Sequence, residues 1–185
     1  AILGTRARKT YSKSYGAFSS INYPILGIIQ DGRLIPYLRP PISDGPRFYE
    51  TLNERVALLK LIPGASPAQL AFLLRENDAV IIESFGVGGV PAGDGGEFYR
   101  IIRDNLALGK IIAVTTQVQN EGSDLAVYSV GHRLKSELGV LEAYDMTTEA
   151  LTAKLMWALA RTTRPNLLAK LLYTPVANDI LCYSE

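Results

Sequence analysis

Residues 79–102 read AVIIESFGVGGVPAGDGGEFYRII: an apolar run, a glycine-rich stretch, then a helical pattern. Glycines between a strand and a helix can cradle a phosphate, because their backbone N–H groups come close to it. The spacing here speaks against both nucleotide versions. The dinucleotide pattern G-x-G-x-x-G finds Gly86 and Gly88, but its third position is Pro91, which has no N–H and blocks close helix–strand approach. The phosphate-loop pattern G-x-x-x-x-G-K-[ST] finds only Gly109-Lys110, followed by Ile111 and placed at the wrong end of a helix. By residue pattern alone, the stretch is a flexible strand-to-helix turn.

Few other groups carry chemistry. Lys9 sits in a basic cluster with Arg6, Arg8 and Lys13. An ammonium beside an aspartate can help activate a threonine hydroxyl, whereas a charge cluster read by itself is a solvated face. Thr115-Thr116-Gln117 closes an apolar run, and Tyr128 offers a phenol that can donate a hydrogen bond or simply half-bury on a helix. His132 and Cys182 are the single histidine and cysteine. One of each is too few for a zinc site, and neither has a partner in the sequence pattern, so both read as structural rather than as a Cys–His nucleophile pair. A lone cysteine forms no internal disulfide and fits a reducing compartment. Arg133 and Lys135 read as a solvated helix face, and Trp157 as core or interface packing.

The elements that must position these residues follow a regular pattern. Residues 1–47 are polar, aromatic and punctuated by proline, with Asp31-Gly32 between apolar runs marking a tight hairpin. RPPISDGP at 39–46 reads as a linker. Beyond Phe48, the runs 56–62, 79–84, 111–116 and 140–144 read as strands, the first of them buried on both faces. Helical patterns follow each strand. Ser66 caps the first, with Pro67 at its first position and Gln69 completing a capping box. The second shows Phe98, Ile101, Ile102 and Leu106 on one face and stops at Gly109. A weaker pattern covers 126–139, a clear one carries Leu151, Leu155, Ala158 and Leu159, and NLLAKLLY forms a last short helix. This alternation predicts an α/β fold: a parallel four-stranded sheet flanked by helices, with ligand loops at the carboxyl ends of its strands.

The chain has 185 residues, 48% of them hydrophobic, with 19 basic and 18 acidic residues. The near balance marks no nucleic-acid partner. The apolar runs are too short for a membrane span, which needs about 20 residues.

Five ordered segments carry a family resemblance: GTRARK (4–9), SSINYP (19–24), ESFGVGGVP (83–91), VTTQ (114–117) and YDMTTEALTAKLMW (144–157). Together they resemble the bacterial and archaeal L-asparaginases of the cytoplasmic type I kind, and DMT-EA---KL is specific to that branch. The resemblance covers essentially the whole chain. It implies hydrolysis of L-asparagine to L-aspartate and ammonia through an acyl-threonine intermediate, in the cytoplasm, with no metal or organic cofactor. Family members carry a nucleophilic threonine in a T-G-G-T motif and a second threonine in H-G-T-D-T, and neither motif occurs in this sequence. The resemblance therefore implies that both threonines are supplied by a missing N-terminal segment. Residues 1–38 are then the tail of the larger N-terminal α/β domain with its hairpin, 39–47 a linker, and 48–185 the C-terminal asparaginase domain.

Residue by residue, Lys9 matches the family lysine that works with the second threonine and an aspartate. The loop holding Gly88 and Gly89 resembles one that reaches a neighbouring subunit's site. The asparagine that periplasmic members place there has no counterpart, since Gly89 and Pro91 stand in its place. Tyr128 matches a tyrosine directed from the adjacent protomer toward substrate. Thr115-Thr116-Gln117 is expected to line a subunit interface or an effector pocket, because type I members often bind asparagine at a second, allosteric site. A homodimer or homotetramer is implied. Two alternatives stand beside this reading: the ammonia-releasing subunit of a tRNA-dependent amidotransferase, and a non-catalytic assembly or effector-binding domain. By the favoured reading, this chain alone is inactive.

Overall fold

The computed structural model describes residues 1–39, 45–91 and 96–181. Its centre is a parallel four-stranded sheet in the order β5 (Val56–Lys60), β6 (Ala79–Ser84), β7 (Ile111–Thr116), β8 (Leu141–Glu142). The helices are α1 (Pro67–Glu76), α2 (Glu97–Ala107), α3 (Ser129–Ser136), α4 (Thr148–Leu159) and α5 (Pro165–Tyr173). Every residue of β6 and β7 is buried, as continuous apolar runs predict for strands covered on both sides. Strand alternation divides the core. Val80, Ile82, Ile112 and Val114 pack with Leu70 and Leu74 of α1, Phe98 and Ile102 of α2, and Leu134 of α3. Ala79, Ile81, Ile111 and Ala113 pack with Leu151, Leu155 and Ala158 of α4 and with Leu168 and Leu172 of α5.

The local signals act as expected at most ends. Ser66 Oγ accepts from Ala68 N at 3.2 Å, with Pro67 at the first helical position. The backbone N–H of Gln69 goes instead to the Ser66 carbonyl, at 3.0 Å. Thr147 caps α4 through Ala150 N at 3.2 Å. Asp31 and Gly32 (φ 50° and 72°) turn between β3 (Gly27–Gln30) and β4 (Arg33–Pro36), an antiparallel hairpin with Gln30 opposite Arg33.

Three expectations need correction. The first sheet strand ends at Lys60 and lies at the sheet edge, so it is not buried on both faces: Leu58 is 47% exposed. The fourth strand is limited to Leu141–Glu142. The helix expected over 126–139 begins only at Ser129, after Tyr128 as its cap residue. The expected linker lies partly outside the described residues, at 40–44, as does Cys182. Among the described residues no helix is long and apolar enough to cross a membrane.

A buried cation ties the amino-terminal residues to the segments that follow β8 and α5. Strands β1 (Ala7–Lys9) and β2 (Phe18–Ser20) form a small antiparallel pair, extended by Ile21 N donating to Arg6 O at 3.0 Å. Arg6 is fully buried, not part of a solvated cluster. Its Nη2 meets Asp145 Oδ2 at 2.7 Å, its Nη1 donates to Asp145 O at 2.5 Å, and its Nε donates to Asn178 O at 2.8 Å. Asp145 accepts in turn from Leu181 N at 3.0 Å. A buried charge is tolerated only when paired and hydrogen-bonded to this degree. Arg8 reaches Glu149 at 3.2 Å in a partly exposed pair, which solvent weakens.

Truncation of one partner strands the other charge in the interior. Asp145→Ala is expected to lower unfolding free energy by about 3–5 kcal/mol, read by urea denaturation; a loss under about 1 kcal/mol would show the pair to be dispensable.

Candidate functional site

The glycine stretch begins where β6 ends, at the carboxyl edge of the sheet. It closes on itself: Phe85 N donates to Gly89 O at 3.0 Å, and Phe85 O accepts from Gly89 N at 2.7 Å and Gly88 N at 3.1 Å. Gly86 and Gly88 have φ of 50° and 151°. Only glycine reaches such values without strain, and Gly88 has a second reason to lack a side chain. A Cβ there would lie 2.8 Å from Leu125 Cδ2, because the loop packs tightly on residues 124–125. Asp124 N donates to Val87 O at 2.6 Å and fixes that contact.

Tyr128 stands against the same loop. It is 48% exposed, and its hydroxyl lies 3.7 Å from where a Gly86 Cβ would be. Gly88 is buried, Gly89 half-buried and Gly86 exposed, so the free edge of this patch is formed by Gly86, Gly89 and the phenol. The structure thus brings three expected site residues together: Gly88, Gly89 and Tyr128. Lys9 is elsewhere, at the end of β1 opposite Phe18. It is exposed, and among the described residues no hydrogen bond or ion pair engages its ammonium.

The threonines that end β7 are bound up in structure. Thr116 Oγ1 donates to Gly86 O and accepts from Val118 N at 2.9 Å. Ser84 Oγ donates to Thr115 O at 2.6 Å. Gln117 Nε2 reaches Leu61 O at 2.6 Å and Glu83 O at 3.1 Å, tying three strand ends together. Arg8, Asn22, Thr115, Thr116 and Thr148 surround a space of only about 10 Å³, so this junction is nearly filled. A larger cleft, about 880 Å³, opens beside α4 and α5. Arg161 lies there over the rings of Tyr49 at 4.2 Å and Trp157 at 4.5 Å. Trp157 meets Tyr49 edge-on with centroids 5.5 Å apart, the packing role its sequence position suggested.

Charged groups hold this end of the sheet in ways that sequence spacing does not reveal. Glu83 is buried, accepts from Thr148 Oγ1 at 3.1 Å and pairs with Lys60 at 3.4 Å. Lys135 is not part of a solvated face: it binds the buried Glu142 at 2.8 Å and covers the Tyr144 ring. Burial disfavours its charge, but hydrogen bonds to Glu142 and Tyr144 outweigh that and raise its pKa overall. Glu142 Oε1 also accepts from Leu125 N at 2.8 Å, which seats the segment under the glycine loop. Arg133 is exposed as expected, and His132, expected in a structural role, is exposed as well. Among the described residues no group of three or more metal-ligating side chains is gathered.

Residues 55–172 match the Glutaminase/Asparaginase C-terminal domain. An L-asparaginase of Thermococcus kodakarensis is 36% identical over 180 residues, covering 97% of this chain and 54% of that protein. A glutamyl-tRNA(Gln) amidotransferase subunit of Pyrococcus furiosus is 32% identical over 188 residues, covering 98% of this chain and 42% of that protein. The solved thermostable L-asparaginase from Thermococcus kodakarensis has a TM-score of 0.89 at 34% identity, covering 98% of this chain and 55% of that one. The chain spans about half the length of these relatives.

Gly88→Ala places a methyl group against Leu125 in a backbone conformation unsuited to alanine. It is expected to cost about 1–3 kcal/mol and to raise amide exchange across 85–89; an unchanged denaturation midpoint and exchange pattern would contradict the packing described.

Proposed function

The chain belongs to the glutaminase/asparaginase family, and from that premise we propose that it is the carboxyl-terminal portion of a cytoplasmic L-asparaginase. The reaction is hydrolysis of L-asparagine to L-aspartate and ammonia. A threonine hydroxyl attacks the side-chain amide carbon, the C–N bond breaks, and nitrogen leaves as ammonia after taking a proton. Water then cleaves the acyl-threonine ester and restores the hydroxyl. The nucleophile belongs to a segment outside these 185 residues, as does the second threonine with its aspartate.

The observation that carries this reading is the arrangement of β1. Arg6 and Arg8 reach acids of the sheet domain, while Lys9, on the opposite side of the strand by its alternation, is exposed without an ion pair among the described residues. An ammonium held on a fixed strand, with no acid paired to it among the described residues, is suited to a carboxylate and hydroxyl brought by another segment. In this reading the patch of Gly86, Gly89 and Tyr128 serves an adjacent protomer of a homodimer or homotetramer. The exposed phenol there can donate to a substrate carboxylate.

A second reading has its own support, since the Pyrococcus furiosus amidotransferase relative matches 98% of this chain. There the released ammonia would pass to a tRNA-dependent amidation partner. The asparaginase reading is preferred because the Thermococcus kodakarensis L-asparaginase is more similar, at 36% against 32% identity. Ammonia release from free asparagine, without tRNA or a co-purifying partner protein, supports the first reading; dependence on both supports the second.

In active enzyme containing this chain, Lys9→Ala is expected to abolish ammonia release from asparagine, while circular dichroism and oligomeric state stay unchanged. Near-full activity would remove Lys9 from the mechanism. The 185-residue chain assayed alone is expected to release no ammonia.

A further inference from the structure

Lys154 lies in the segment YDMTTEALTAKLMW, on α4, and the reaction proposed above gives it no part. Only 6% of it is exposed. Its ammonium pairs with Asp179 Oδ2 at 2.8 Å and donates to Thr174 O at 2.8 Å. Burial pushes the Lys154 pKa down, against the opposing effect of Asp179. A buried pair of this kind is a poor source of stability, because apolar side chains of similar size do as well or better. Its value has to be sought in what it holds.

What it holds is a strained turn. Asp179 Oδ1 accepts from Val176 N at 2.7 Å, closing the turn. Inside it, Ala177 and Asn178 have φ of 50° and 63°. Non-glycine residues keep such conformations only where neighbours over-determine them. The carbonyls of these two residues both point at the amino-terminal segment: Ala177 O accepts from Thr5 Oγ1 at 2.8 Å and Asn178 O from Arg6 Nε at 2.8 Å. Arg6 is three residues from Lys9 and continues its strand pairing through Ile21.

We propose that the buried Lys154–Asp179 pair is a positioning device for Lys9, setting the turn at 176–179 whose carbonyls grip Thr5 and Arg6 and thereby fixing where β1 presents its ammonium. The role rests on the assignment of Lys9 to amide hydrolysis. Lys154 touches neither substrate nor reacting atoms. Loosening the turn lets β1 shift, and a displacement near 1 Å of a catalytic group is enough to cost about a hundredfold in rate.

The test uses active enzyme containing the full chain, with asparagine as substrate. Lys154→Met is expected to lower kcat by about tenfold to a hundredfold, with KM changed by less than about twofold. Because that substitution leaves Asp179 buried and unpaired, a second variant replaces both charges: Lys154→Met with Asp179→Leu. The double variant is expected to melt close to the parent enzyme and still show the kcat loss. A double variant with parental melting and parental kcat overturns the proposal, as does a single-variant loss that disappears once corrected for the folded fraction. Lys9→Ala serves as the reference. If it is inactive while the Lys154 variants keep full rate, positioning alone fails. If it is active, the assignment of Lys9 fails and the positioning role falls with it.

Discussion

A guanidinium with no exposure to water joins the two parts of this chain. Arg6 has to be matched on every side it presents, and the match draws in an aspartate beyond β8 and a carbonyl beyond α5. Those groups are far apart in sequence, 139 and 172 residues from Arg6. A contact with so little tolerance for unpaired charge fixes geometry even where it adds little net stability. The strand that follows Arg6 inherits that geometry, and Lys9 stands at its end.

Several strained residues gather around this contact. Tyr144, next to Asp145, has φ of 51°, and its carbonyl accepts from Ser123 N at 2.8 Å. Gly122 has no room for a side chain, since a Cβ would lie 2.4 Å from that same carbonyl. Ala177 and Asn178 add two more left-handed positions on the other flank. Strain of this kind persists where surrounding contacts over-determine the backbone. Here the buried pairs of Arg6 with Asp145 and of Lys154 with Asp179 supply those contacts. Sheet, turn and amino-terminal segment are therefore tied together by buried pairs and by the hydrogen bonds of Thr5 and Arg6.

Much of the fold was legible because its signals are local. The fully apolar runs at 79–84 and 111–116 dictated two central strands, Ser66-Pro67 marked a helix start, and Asp31-Gly32 a hairpin. Sheet position was not legible: the run at 56–62 reads like its neighbours, and only the strand order shows that it is an edge. Long-range polar partners were hidden for the same reason. Arg6 reads as one member of a basic cluster until its aspartate is brought to it by folding, and Lys135 as a surface residue until Glu142 is. Strand alternation offered the one available clue, since Arg6 and Arg8 share a side that Lys9 does not. The proximity of Tyr128 to the glycine loop depends on Leu125 packing under Gly88, a contact that no sequence spacing encodes.

An outward-facing ammonium, exposed at the end of β1, is the centre of the proposed chemistry. The most direct measurement is a structure of the assembled, active enzyme with asparagine or aspartate bound. Lys9 Nζ is then expected within hydrogen-bonding reach, about 2.6–3.2 Å, of both a carboxylate and a threonine hydroxyl that this chain does not supply. An ammonium in bulk water in every copy, with neither group beside it, would contradict that chemistry.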